Sequence, residues 1–285
     1  MPNLLRLSLV VSAMFVAMGT AQAAIQPVQV VVTKVGTVAV QNAWYRSNFS
    51  GAGTVAEING SQKRSGNGSV EMATTGGSGK ADYAYAWGYV SNRTLGNLST
   101  LGFDWFRAGA SNTTDHFAPA LRLVYDADGN AATTDDLGYL VWEHAYIGTG
   151  APTPAPEDTW VSSNLMGGDF WQRQLPWTSP SNNFFPGVTI EDYNTSLDEW
   201  KNGPYPAGAD KLSAASAILG IEFGVGSGWV DAFRGNVDNV RFGFIGESPT
   251  FFNFEVAPAN VPEPASLALL GLGALGFAAR RRKQK

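Results

Sequence analysis

Tyr83, Tyr85, Trp87 and Tyr89 alternate with Ala84, Ala86 and Gly88. Side chains on a strand point to opposite faces in turn, so this spacing puts four aromatic rings on one side. Facing solvent, such rings would stack on sugars while their polar edges reach hydroxyls, which suits polysaccharide binding. Facing inward, the same stripe would fill the core of a sandwich. The spacing leaves both readings open.

Oxygen ligands suggest a second chemistry. Asp126, Asp128 and Asn130, with Asp135 and Asp136 close behind, fall between two predicted strands, a setting in which Ca2+ can be held. Asp238, next to Asn239 on a later strand, is a further candidate for an ion. The loop departs from an EF-hand, since Ala131 stands where Gly is needed and Leu137 where Glu is needed. A solvated acidic hairpin is the competing account. For glycoside cleavage two carboxylates must flank a cleft about 5 to 10 Å apart. Glu143 and Glu222 both lie on predicted strands, but their spacing in sequence does not pair them.

Other chemistries are excluded by what the chain lacks. It has no Cys, hence no disulfide, thiolate metal site or Cys nucleophile. His116 and His144 have no HExxH companions, there is no GxSxG elbow, and Gly79-Lys80 is followed by Ala81 rather than the Ser or Thr of a P-loop. Gly271, Gly273 and Gly276 form a GxGxxG string inside an apolar run with no strand before it, so it reads as small residues of a membrane helix. The net charge of -5 understates the acidity of the middle of the chain. Without the two ends, thirteen basic residues face twenty-three acidic ones. Such a body does not suit nucleic acid, whose phosphates need a basic surface.

Those two ends read as addresses. Arg6 precedes an apolar run from Leu7 to Met18, and Ala21 and Ala23 form an A-x-A site for signal peptidase, so residues 1–23 are expected to be a signal peptide. Residues 258–261 read as a linker to Pro262, Glu263 and Pro264. Fifteen uncharged residues from Ala265 to Ala279 follow, with Leu267, Leu270 and Phe277 among them, then Arg280, Arg281, Arg282 and Lys283. As a helix the run would span about 22 Å against a hydrocarbon core of about 30 Å, so it inserts with mismatch. Its basic cluster would stay on the cytoplasmic side of the inner membrane.

This order of motif, short apolar segment and Arg cluster resembles the PEP-CTERM sorting signal. The resemblance implies a Gram-negative exported protein whose tail, residues 262–285, is recognised and cleaved by an exosortase, leaving the body at the cell surface or in the extracellular matrix. A plain C-terminal membrane anchor is the competing account. Phe103-Asp104-Trp105-Phe106-Arg107, Ala118 to Leu123 and Gly235 to Val240 resemble segments of PEP-CTERM body domains. The last also resembles the final strand of jelly-roll, lectin-like carbohydrate-binding modules, which implies such a fold with an Asp-Asn pair near a structural ion. The body shows no Thr-x-Thr ladder of the kind a flat ice-binding face needs.

The elements that must position these residues are short. Strands are predicted at Val35–Val40, Thr54–Ile58, Gly68–Met72, Asp82–Val90 and Leu98–Arg107. More are predicted at Phe117–Tyr125, Leu137–Ile147, Ala217–Val225, Val237–Phe244 and Phe251–Val256. Ile190, Tyr193, Leu197 and Trp200 recur at helical spacing and predict a helix over Thr189–Lys201. Thirty-three Gly and fifteen Pro agree with many turns. The expectation is an all-β body over residues 24–257, a jelly-roll or concanavalin-like sandwich with one short decorating helix. Its expected role is non-enzymatic association with extracellular polysaccharide or biofilm. Two alternatives stand beside it. A secreted glycan-active hydrolase would show a deep acidic cleft with Glu143 or Glu222 beside an aromatic platform, and a purely structural matrix protein would show a closed sandwich.

Overall fold

A computed structural model of the chain describes residues 26–258 except 78, 134, 147–151, 180 and 227. The expected signal peptide, with Ala21 and Ala23, and the sorting tail from Pro262 onward lie outside the described residues. Among those described, no helix is long and apolar enough to cross a membrane.

The first half of the body contributes β1 (Val28–Val32), β2 (Trp44–Ser50), β3 (Val55–Asn59), β4 (Ser69–Thr74), β5 (Lys80–Ala86), β6 (Leu98–Arg107), β7 (Ala120–Asp126) and β8 (Leu137–Trp142). The second half adds β9 (Trp160–Asn164), β10 (Trp171–Gln174), β11 (Trp177–Thr178), β12 (Phe184–Phe185), β13 (Thr189–Ile190), β14 (Ala217–Gly226), β15 (Phe233–Phe244) and β16 (Thr250–Phe254). Two seven-stranded sheets form a β-sandwich of jelly-roll type, and β11 and β12 make a separate hairpin.

In the first sheet β15 is the spine. One edge pairs with β6, which carries β9. The other edge forks: Phe233–Val237 pairs with β4 and onward to β3, while Val240–Phe242 pairs with β16, which carries β1 in parallel. Asp238 stands at the fork. Its Oδ1 accepts from the backbone N–H of Phe254 at 2.9 Å and of Asn239 at 2.8 Å, and its Oδ2 from that of Ser65 at 3.1 Å. Asn239 takes a left-handed φ of 49° in the accompanying bulge. The Asp-Asn pair expected near an ion is thus occupied in holding a strand junction.

The second sheet runs β13-β10-β8-β7-β14-β5-β2. Its inner face carries the aromatic stripe. The Tyr85 ring lies 4.8 Å from Phe252 and the Trp87 ring 4.7 Å from Phe242, both on the opposing sheet. Tyr83 is buried and donates its hydroxyl to the Ala56 carbonyl at 2.7 Å, so burying the phenol leaves no polar group unpaired. Of the expected glycan-stacking residues, Tyr83, Tyr85 and Trp87 therefore pack into the sandwich, Tyr85 half-buried and the other two buried.

Two predicted elements change. The helix is confined to α1 (Leu197–Asn202), because Ser196 and Glu199 form a capping box that starts it there, while Thr189–Ile190 is drawn into the sheet against β10. Val35–Val40 is not a strand: Val35 packs against the core, but Val38 and Val40 are exposed, and only Gly36 bridges to a strand, at Tyr45.

Candidate functional site

With the aromatic stripe turned inward, the other face of β5 points out, and it carries Lys80, Asp82, Ala84 and Ala86. Register across the second sheet aligns Ala84, Glu222, Arg122, Val141 and Trp171 in one row on that outer face. Around the row the outer positions are small: Gly220, Gly224 and Gly226 on β14, Ala86 on β5 and Ala120 on β7. The small floor leaves a groove of about 700 Å³ crossing the sheet. Tyr139, Trp171 and Trp229 wall it, and Lys80 and Arg173 also line it.

At its centre lies an ion cluster. Arg122 Nη1 sits 2.6 Å from Glu222 Oε1 and 3.1 Å from Asp82 Oδ1. Ser47 donates to Glu222 Oε2 at 2.6 Å, and Asn48 donates to Asp82 Oδ2 at 3.0 Å. Asp82 reaches across β14 only because residue 224 is glycine, since a Cβ there would lie 1.6 Å from Asp82 Oδ1. Burial works against the Arg122 charge, but Asp82 and Glu222 more than restore it, and the guanidinium stays protonated. Burial pushes the Glu222 carboxyl upward while Arg122 pulls it back. Burial, helped by Glu222, pushes the Tyr139 phenol up to about 12.

Glu143 stands apart from this cluster, two residues beyond Val141 on the same face. Burial pushes its carboxyl upward, opposed by Arg122 and by the Trp171 indole. That indole N–H is buried and finds no acceptor at full hydrogen-bond geometry. Beyond Trp171 the aromatic wall continues through Tyr193, whose ring stacks on Tyr146 at 3.9 Å. Arg173 is oriented by Thr189 Oγ1 at 2.9 Å and the Gly187 carbonyl at 3.3 Å.

Glu143 and Glu222, which sequence spacing could not pair, thus share one groove. Asp82, Arg122, Tyr139, Trp171 and Arg173 were not singled out from the sequence. One signal was present: the outward positions of β14 read Gly220, Glu222, Gly224, Gly226, a lone charge among glycines in an otherwise apolar strand.

The expected ion set is split between two places. Asp126, Asp128 and Asp136 do converge, with one carboxylate oxygen of each within 4.8 Å of the others. Asn130, however, accepts from the Ala132 backbone N–H, and Asp238 lies in the other sheet. Asp126 accepts from the Gly129 backbone N–H at 2.6 Å and from the hydroxyl of Tyr89, the one member of the aromatic stripe left exposed.

Residues 260–283 match the PEP-CTERM protein-sorting motif, which marks the chain for export and sorting to the cell envelope. No curated protein matches the chain. Among solved structures, the chain is similar to a family 11 carbohydrate-binding module from Clostridium thermocellum in complex with a β-1,3-1,4-mixed-linked tetrasaccharide. The identity is 13%, 77% of this chain and 93% of that chain are covered, and the TM-score is 0.35. It is also similar to a non-crystalline cellulose specific module, CBM28, at 16% identity over 76% of this chain and 98% of that one, with a TM-score of 0.27. A carbohydrate esterase from the Shiga toxin-encoding bacteriophage phi24B aligns at 15% identity over 68% and 89%, with a TM-score of 0.30.

Proposed function

We propose that the body, residues 24–257, is a glycan-binding β-sandwich that is exported behind a cleaved signal peptide and sorted to the envelope by its tail. There it associates with extracellular polysaccharide, the tail serving as a transient inner-membrane anchor until an exosortase cuts after the Pro262-Glu263-Pro264 region. One observation carries the binding reading: an open groove with a floor of glycine and alanine, aromatic walls, and hydrogen-bonding groups directed into it. Flat rings and polar groups in a shallow concavity fit a sugar chain better than a compact hydrophobic ligand.

The test is a polysaccharide panel with the full-length chain and its Trp171→Ala and Tyr139→Ala variants. Binding that falls at least tenfold in either variant supports the groove. Binding unaffected by both, or absent from every glycan, overturns it and favours a structural envelope protein.

Hydrolysis is a second reading, favoured by one arrangement: Glu143 is desolvated and, among the described residues, without an ion pair, whereas Glu222 and Asp82 are paired with Arg122. A desolvated carboxyl of this kind can hold a proton to give to a leaving group. Release of reducing ends from a bound glycan, lost in Glu143→Gln, would establish it.

A further inference from the structure

Resting on the glycan reading of the groove, we infer that Glu143 is its specificity-determining residue, accepting two hydroxyls from adjacent carbons of a neutral pyranose chain that lies on Trp171.

The groove holds three carboxylates in unequal circumstances. Both oxygens of Glu222 and Oδ2 of Asp82 accept hydrogen bonds, from Arg122, Ser47 and Asn48, while Asp82 Oδ1, buried without a hydrogen bond, is ion-paired to Arg122 at 3.1 Å. Glu143 has no ion pair among the described residues, and the one side-chain hydrogen-bond donor that acts on it there is the Trp171 indole. It is the groove carboxylate with oxygens left for a ligand. Its position suits that use. Trp171 is in register with Val141, and Glu143 follows two residues later on the same face. A pyranose resting on the indole presents its equatorial hydroxyls sideways, toward that carboxylate. Two hydroxyl donors on one carboxylate form charge-assisted bonds, shorter and stronger than neutral ones.

The ligand class follows from charge. A uronate resting on Trp171 would bring its carboxylate against Glu143, while Arg122 is already committed to Asp82 and Glu222; Lys80 and Arg173 also line the groove, and the galacturonate arm of the experiment decides whether they reverse that penalty. A neutral chain with free neighbouring hydroxyls meets no such penalty.

Proton linkage is a consequence. Facing Glu143 are Arg122 from β7, Trp171 from β10, Tyr146 after β8 and Tyr193 after β13, with Glu191 acting on both tyrosines. Burial favours the protonated carboxyl, while a diol donating two hydrogen bonds favours the ionised one. Binding therefore expels the proton, and affinity rises with pH until Glu143 is ionised in the free protein as well.

The experiment is titration calorimetry on the full-length chain with the β-1,3-1,4-mixed-linked glucotetraose and with a galacturonate tetramer. It is run at pH 5, 6.5 and 8, in two buffers of different ionisation enthalpy, with wild type, Glu143→Gln and Trp171→Ala. The expected result is glucotetraose binding that tightens from pH 5 to pH 8, with protons released to the buffer over the range in which it tightens. Glu143→Gln should fold as wild type, lose the pH dependence and bind at least tenfold more weakly at pH 8. If Trp171→Ala abolishes binding while Glu143→Gln keeps both affinity and pH profile, the role of Glu143 fails and the groove reading stands. Tighter binding of the galacturonate overturns the ligand class. Failure of wild type to bind either tetrasaccharide overturns the inference and the groove reading together.

Discussion

The two outer faces of the sandwich both bury charge, yet only one is built like a site. On the first sheet, Glu71, Asp104 and Asp238 lie beneath the segment 60–68. Arg64 and Asn239 hold Asp104 at 2.8 and 3.0 Å, Asn59 and Arg234 hold Glu71, and backbone N–H groups hold Asp238. On the second sheet nothing comparable among the described residues covers the floor, and Glu143 and the Trp171 indole keep capacity for a partner. A cluster of polar residues is therefore a poor marker of function on its own. The marker is hydrogen-bonding capacity that the protein leaves unmet in a place a ligand can reach.

The largest effect that would break this comparison comes from the groove's cation. Arg122→Met leaves Asp82 and Glu222 facing each other without a counter-ion, and removing one partner of a buried ionic cluster costs about 3–5 kcal/mol. Thermal melts should show Tm falling by roughly 10 °C for a body of this size. Arg64→Ala on the covered face removes a guanidinium whose side chain is 36% exposed. It should cost at most about 1 kcal/mol, because solvent already screens that charge. Equal losses would mean that the two faces are held in the same way.

A sharper contrast is in the sign of pH dependence within the covered face. Burial pushes Asp238 up to about 6, its three backbone donors only partly opposing it. Burial also acts to raise Asp104, but Asn239, Arg64 and Ser162 outweigh it and hold the carboxyl below its usual value. The folded state therefore binds a proton at Asp238 more tightly than the unfolded chain does. Its contribution is full below about pH 4 and is lost as pH rises to about 6, a change of about 2–3 kcal/mol. Asp104 contributes in the opposite sense, losing stability as pH falls through its depressed folded value. Urea unfolding from pH 2 to 7 should show Asp238→Asn abolishing the first component, seen above about pH 4, and leaving the second, seen below it. An unchanged profile would show that Asp238 does not titrate in this window.

What the sequence disclosed depended on which face a residue serves. β6 was legible to the residue at both ends, and β14 and β16 nearly so, because their inward positions are large and apolar and their boundaries carry Gly, Asn or Ser. β2, β9 and β10 were missed, since Trp171-Gln172-Arg173-Gln174 and its like put polar groups on both faces, Gln172 among them buried on the inner one, and show little alternation. Two of these, β2 and β10, line the groove, so the weakly patterned strands belong to the site. The aromatic stripe misled for the converse reason. Alternation reveals that two faces differ, and the larger, more apolar one belongs inside; the Ala84 and Ala86 side was the one left open to a ligand. The pairing of Glu143 with Glu222 needed the strand order β8-β7-β14, which no local pattern encodes.

The smallest effect concerns the acidic loop, which lies between the two faces in character. Asp136 accepts the Asp128 backbone N–H through Oδ2 at 2.7 Å, but its Oδ1 is buried without a donor. Burial and the neighbouring carboxylates Asp128, Asp135 and Asp210 push its carboxyl upward. Asp136→Asn keeps an acceptor for Asp128 and removes one of the mutually repelling charges. It should stabilise the body by about 0.5–1 kcal/mol, raising Tm by roughly 2–3 °C at pH 7. Adding millimolar Ca2+ to wild type asks whether a cation can do the same work. A rise in Tm that disappears in Asp136→Asn would assign the orphan oxygen to an ion, whereas a gain from the substitution with no response to Ca2+ would leave repulsion among the carboxylates as the whole account. A loss of stability in Asp136→Asn would contradict both, and would mean that the loop relies on that charge as the covered face relies on its own.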